Sequence, residues 1–185
     1  IYSCGNIIKW LRDKMKYFEN SEDSENFLRK DGNSNNVLFL PAFNGLGAPY
    51  WNSEIRGGFY GITQDTNIED IIPATFQSIA FQTKDITNII SLYDIKIQKL
   101  LVDGGMVSNK TFCQVLADTL QIDIVKPENA ESTAIGACKV AMLSSGMSLE
   151  NLPKNDISYK ANKNLRDVYS RNYTEWQEYL LKTIK

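Results

Sequence analysis

The run Leu100-Leu101-Val102-Asp103-Gly104-Gly105, leading on to Asn109, is the segment of this sequence best suited to hold a ligand. Apolar residues that read as a short strand end on paired glycines at the mouth of a helix. Glycine lets a flat ring or a phosphate come close to the backbone, and a helix N-terminus favours negative charge. The chemistry this suits is nucleotide binding. A tight strand-to-helix turn without a ligand explains the same residues, because a glycine pair is a short motif, and Asn109 serves equally well as a helix cap.

Catalytic side chains are scarce. The chain has no histidine, which removes Ser/His/Asp and Cys/His catalysis and every His-based metal site. Cys4, Cys113 and Cys138 are odd in number and lack C-x-x-C spacing, so they suit neither a disulfide framework nor a zinc knuckle. The acidic pairs Glu22 with Asp23 and Glu69 with Asp70 stand where first turns of helices are expected, and there they complement the helix dipole. Any base must be a carboxylate, or must come from elsewhere.

Pro41 to Trp51 reads P-A-F-N-G-L-G-A-P-Y-W. Its three aromatics are expected to pack against the body of the protein or a partner domain, because exposed rings at this density cost solubility. Gly57, Gly58 and Gly61 suggest close backbone approach or a bulge, a structural role in either case. Gly136 interrupts a good helix at a cost of about 1 kcal/mol against alanine, and close packing of that helix on a sheet would explain it. Tyr169, Tyr173 and Trp176 are spaced for one helix face and read as core.

The elements that position these residues follow from periodicity. An amphipathic helix is expected over Cys4 to Phe18, opened by Ser3 or Asn6, then a short polar helix over Ser21 to Arg29 and a loop from Asp31 to Asn36. Val37 to Leu40 reads as a buried strand, Pro41 to Arg56 as a structured loop and Gly58 to Thr63 as strand-like. Asn67 caps a long helix through Ile90, which Pro73 should kink or delay. Leu100 to Val102 and Ile122 to Val125 read as strands, and Asn109 to Leu120, Glu131 to Leu143 and Asn162 to Ile184 as helices. This order says α/β, with helices on both faces of a sheet.

The 185 residues, 43% hydrophobic, suffice for one domain with one core. With a net charge of -2 there is no broad basic field to attract nucleic acid or anionic lipid. The apolar runs fall far short of the roughly 20 residues of a membrane span. The expectation is a soluble, cytoplasmic protein in a reducing compartment. There is no signal-peptide pattern, and a start at Ile1 reads as a cut inside a longer protein.

The run Phe43 to Trp51, with Arg56 and Gly57 after it, resembles a signature shared by the glycerol kinases of the FGGY carbohydrate-kinase family. Gly57, Phe59, Gly61 and Ile62, then Asp70 and Ile71, then Ala74, Thr75, Phe76 and Gln77, stand at the spacing of that family's C-terminal pattern. Leu101 to Asn109 and Glu131 to Ala137 are similar to its adenosine-binding segment and the helix after it. The resemblance runs from Gly5 and the W-L-R-D run at Trp10 to Asp13 through the final helix.

That resemblance implies an actin-like, ribonuclease-H-like ATPase fold, a mixed sheet flanked by helices. Residues 1–185 would be the C-terminal, nucleotide-binding half. The N-terminal domain, with the base aspartate, most glycerol contacts and a phosphate-binding loop, is absent from this chain. It also implies that Gly5, Gly105 and Asn109 contact ATP or ADP, that Gly104 shapes the turn, and that Mg²⁺ bridges the phosphates. Lys9 departs from the glutamine common at its position; it would meet a phosphate or stay solvated. Pro73 is a second departure. The implied reaction is phosphorylation of glycerol by ATP in the full-length enzyme, which could also be a homo-oligomer, with the isolated chain inactive. The rival readings are another FGGY sugar kinase such as a xylulokinase, a non-catalytic product of a split or degraded gene, and a chaperone or filament protein of the same wider fold.

Overall fold

The computed structural model describes residues 4–29, 31–128, 132–148 and 156–184. Its first helix, α1 (Cys4–Asp13), buries Ile7, Ile8 and Leu11 along one stripe. It stops short of Phe18 because the amides of Lys14 and Met15 both turn back to the Trp10 carbonyl, and Lys16 adopts a positive φ. Ser3 lies outside the described residues, and Asn6 is inside the helix. Ser21–Phe27 is a 3-10 helix, with a reciprocal capping box between Asn20 and Asp23.

Strand β1 (Leu38–Leu40) is buried throughout and pairs antiparallel with β2 (Gly58–Tyr60). Leu38 and Leu40 enter one apolar cluster and Phe39 another, which is why this strand is an unbroken apolar run. Gly61, at φ +80°, ends β2 with its α-carbon so close to the Asn36 carbonyl that a side chain would collide.

Helix α2 (Ile68–Ser91) starts at a second capping box: the Asn67 side chain accepts from the Glu69 amide at 2.8 Å, and the Asp70 carboxylate from the Asn67 amide at 3.1 Å. The expected delay at Pro73 is not observed. That residue sits in the second turn, where the missing N–H leaves one bond to Glu69 unmade, and the helix runs on to Ser91. It serves both clusters, with Ile72, Phe76 and Ile79 of its first half in one and Ala80 and Phe81 at its middle in the other.

Strands β3 (Lys99–Leu101), β4 (Asp123–Pro127) and β5 (Asp156–Tyr159) form a mixed sheet in the order β3-β4-β5, parallel then antiparallel. The sequence reading has no counterpart for β5, whose Asp-Ile-Ser-Tyr is short and mostly exposed. Helix α3 (Lys110–Leu120) and helix α5 (Arg166–Ile184) cover the inner face, where Ile124, Leu116, Tyr169, Tyr173 and Trp176 share a core. Trp176 is fully buried and donates its indole N–H to the Phe39 carbonyl at 2.7 Å.

The outer face does not match the expectation of helices on both sides. Helix α4 (Ser132–Ser144) has no buried residue, and Leu101 on β3 is 77% exposed. The α4 sequence is apolar nearly all round rather than along a stripe, so no single face commits it to this sheet. Gly136 therefore has no packing reason here: a Cβ on it would meet nothing within 4 Å. Glu131, expected to open this helix, lies outside the described residues.

Candidate nucleotide site

A cavity of about 780 Å³ opens between α1, the Ser21–Phe27 helix, α2, and the turn between β3 and α3. Gly5, Lys9, Gly104, Gly105 and Asn109 all line it, so the fold brings together residues from far-apart parts of the sequence. Its volume is in the range of small-ligand sites. Ile8, Phe76, Ile79, Phe112 and Leu116 give it an apolar floor, while Ser21, Glu22 and Lys9 give it a polar rim.

The turn is built from its backbone. After β3, the Val102 amide donates to the Val125 carbonyl at 2.9 Å and so extends the parallel pairing by one residue. Gly104 then takes φ +99°, a conformation that glycine adopts at little cost. Gly105–Ser108 form a single 3-10 turn, closed by the Val107 amide on the Gly104 carbonyl at 3.1 Å. Asn109 ends the turn and caps α3, its Oδ1 accepting from the Phe112 amide at 2.7 Å. The cap leaves its Nδ2 buried without a hydrogen-bond partner among the described residues. A buried unpaired amide costs about 1–3 kcal/mol.

An added Cβ at Gly5, Gly104 or Gly105 meets nothing within 4 Å. Packing within the chain therefore does not require glycine at Gly5 or Gly105; what glycine provides at both is open backbone on the cavity wall. Gly5 and Lys9 are four apart on α1 and share the face turned to the cavity. Lys9 is exposed. Cys4 also lines the wall, and burial pushes its thiol up to about 11, far from reactive thiolate.

The sequence reading overlooked the opposite wall, formed by the Ser21–Phe27 helix and by Phe76 and Ile79 of α2. Nothing in their local spacing marks them as facing a cavity. Glu25, on that wall, accepts from both the amide and hydroxyl of Thr111 at 2.9 Å, tying the short helix to the first turn of α3.

The Pro41–Trp51 segment lies outside the cavity. Phe43 packs edge-on to Trp10 at 5.1 Å, and the Tyr50 hydroxyl donates to Asp85 at 2.7 Å. Leu46 and Asn52 close its base through paired backbone bonds of 2.8 and 3.0 Å. Trp51 departs from the expected packing: it is 80% exposed.

No group of three or more His, Cys, Asp or Glu side chains able to hold a metal ion occurs among the described residues, and no described helix is long and apolar enough to cross a membrane.

The chain is 46% identical over 147 residues to a glycerol kinase of Streptococcus pneumoniae (strain Hungary19A-6), a match covering 79% of this chain and 29% of that protein. It thus spans about three-tenths of the length of such relatives. A solved Plasmodium falciparum glycerol kinase with ADP superimposes at TM-score 0.85 with 29% identity, over 98% of this chain and 37% of the other. Xylulose kinase from Lactobacillus acidophilus shares the fold at TM-score 0.80 and 21% identity, over 95% and 37% of the two chains. This fold is the actin-like one of the sugar kinases. The family model for the C-terminal domain of FGGY carbohydrate kinases matches residues 1–145 of the 185, and the chain belongs to that family.

Proposed function

We propose that this chain forms the nucleotide-binding wall of a cytoplasmic, ATP-dependent glycerol kinase, an enzyme that converts glycerol and ATP to glycerol 3-phosphate and ADP. The observation that carries the reading is the convergence of Gly5, Gly104, Gly105 and Asn109 on one cavity. An apolar floor accepts a purine face, bare glycine backbone admits the ribose and phosphates, and the Asn109 amide, once turned toward the cavity, donates to an acceptor on the ligand. The 46% identity to a glycerol kinase favours glycerol over a pentulose as acceptor, as does the G-L-G-A-P-Y-W run.

The residues present fit a nucleotide better than a dedicated magnesium cage. Mg²⁺ usually keeps several waters and binds one or two carboxylates plus the phosphates, so it enters as part of the Mg·nucleotide substrate. Phosphoryl transfer depends chiefly on positioning and charge stabilisation. This chain's part is to bind and orient the nucleotide and to exclude water from one side; the base that takes the glycerol proton belongs to the N-terminal domain of the full-length enzyme.

Titration calorimetry with Mg·ATP and Mg·ADP tests the site. Binding to the wild-type chain that Gly105→Val abolishes supports it; binding unaffected by that substitution moves the ligand elsewhere.

A further inference from the structure

Lys126 lies on β4 with only 8% of its surface exposed, and lysine is almost never so deeply buried without a partner. Its side chain passes under the turn that follows β3, where Nζ donates to the Val107 carbonyl at 2.6 Å. The Cys113 thiol reaches the same carbonyl at 3.4 Å. One residue earlier, the Val125 carbonyl accepts from the Val102 amide. Consecutive residues of β4 therefore grip the chain on either side of Asp103–Met106, by main chain before it and by side chain after it. Between the grips Gly104 and Gly105 are exposed, a Cβ on either would meet nothing within 4 Å, and their carbonyls bond only within the turn, to the Val107 amide and the Ser108 hydroxyl. A glycine-rich turn has the most backbone freedom to lose, so its placement depends on these two anchors.

We infer that Lys126 is a positioning residue for the nucleotide: it holds the Gly104–Asn109 turn in its binding conformation from below, without touching the ligand. The inference rests on the proposed nucleotide site. A cation is suited to this work because a lysine side chain donates and never accepts, and a charged donor forms the stronger bond to a carbonyl.

The test compares Lys126→Met, Lys126→Arg and Trp176→Phe, the last weakening the core through α5. Each is confirmed folded by circular dichroism and titrated with Mg·ADP, with amide hydrogen exchange followed at Met106–Asn109 without nucleotide. Lys126→Met should weaken binding at least tenfold and speed exchange at the turn; Lys126→Arg should restore most of both, and Trp176→Phe should change neither by more than about twofold. Should Lys126→Met not fold, Lys126→Gln replaces it under the same criteria. Wild-type affinity and exchange in the methionine variant, or equal losses in Trp176→Phe, would overturn the inference. If the wild-type chain binds no nucleotide, the proposed function fails instead, and faster turn exchange in Lys126→Met alone would still uphold the anchor.

Discussion

At the residue scale, Asn109 reconciles two readings that the sequence leaves open. Capping of α3 uses Oδ1 and leaves the amide nitrogen unpaired, so in the proposed site one side chain does both. The roles separate by substitution. Asn109→Asp keeps a good cap and removes the donor; the thermal midpoint should stay close to wild type while nucleotide affinity falls about tenfold or more, since a buried hydrogen bond lost in this way costs about 1–3 kcal/mol. Asn109→Ala should lose both, with about 1 kcal/mol of stability gone with the cap. An Asn109→Asp variant with unchanged affinity would exclude the amide from the site. That Gly104, Gly105 and Asn109 line a cavity was legible in the strand-glycine-helix pattern and Gly5 only through the family resemblance; the burial of Lys126 was not, because nothing in Asp-Ile-Val-Lys-Pro shows that the lysine turns inward.

Among elements, the Pro41–Trp51 loop, α2 and α5 meet at Asp85. Its carboxylate accepts from the Tyr50 hydroxyl at 2.7 Å, the Tyr173 hydroxyl at 2.5 Å and the Gln177 amide at 3.0 Å. Burial pushes its pKa up, more than these bonds and nearby Lys84 pull it down, and burial does the same to Asp118 on α3. A raised folded-state pKa means that the folded chain holds the proton more firmly than the unfolded one. The stability from each group is thus full below the unfolded value of about 4 and is lost as pH rises through the folded value. The thermal midpoint of Asp85→Asn should accordingly fall less between pH 4 and 7 than that of wild type; an equal or steeper fall would contradict the direction of the shift.

Helices with one apolar stripe were readable, as α1, α3 and α5 show, because the stripe records what they pack on. Ends were less so: α1 closes at Asp13 through backbone bonds that any sequence could make. Helix α4 was read as a helix, but its packing escaped for the opposite reason: it is apolar on all sides, so that its period names no partner surface. With Val140 68% exposed, Val140→Ser should shift stability by less than about 0.5 kcal/mol, as surface changes do; a loss of 2 kcal/mol in chemical denaturation would place α4 in a core.

For the whole molecule, the proposed function makes this chain one wall of a cleft, able to orient a nucleotide without supplying the base. The purified 185-residue chain should show no glycerol-dependent ADP production in a coupled assay, and measurable turnover would require a base within this chain. The three tryptophans offer a way to watch the cleft wall directly. Trp176 is sealed in the core, Trp51 stands in solvent, and Trp10 follows Lys9 on α1 with its ring against Phe43. These environments separate their fluorescence: Trp176 should emit to the blue and resist an aqueous quencher, and Trp51 should emit to the red and quench readily. In a chain carrying Trp51→Phe and Trp176→Phe, the remaining emission comes from one ring wedged between the cavity helix and the signature loop, an optical gauge of whether those two parts shift together when a nucleotide enters.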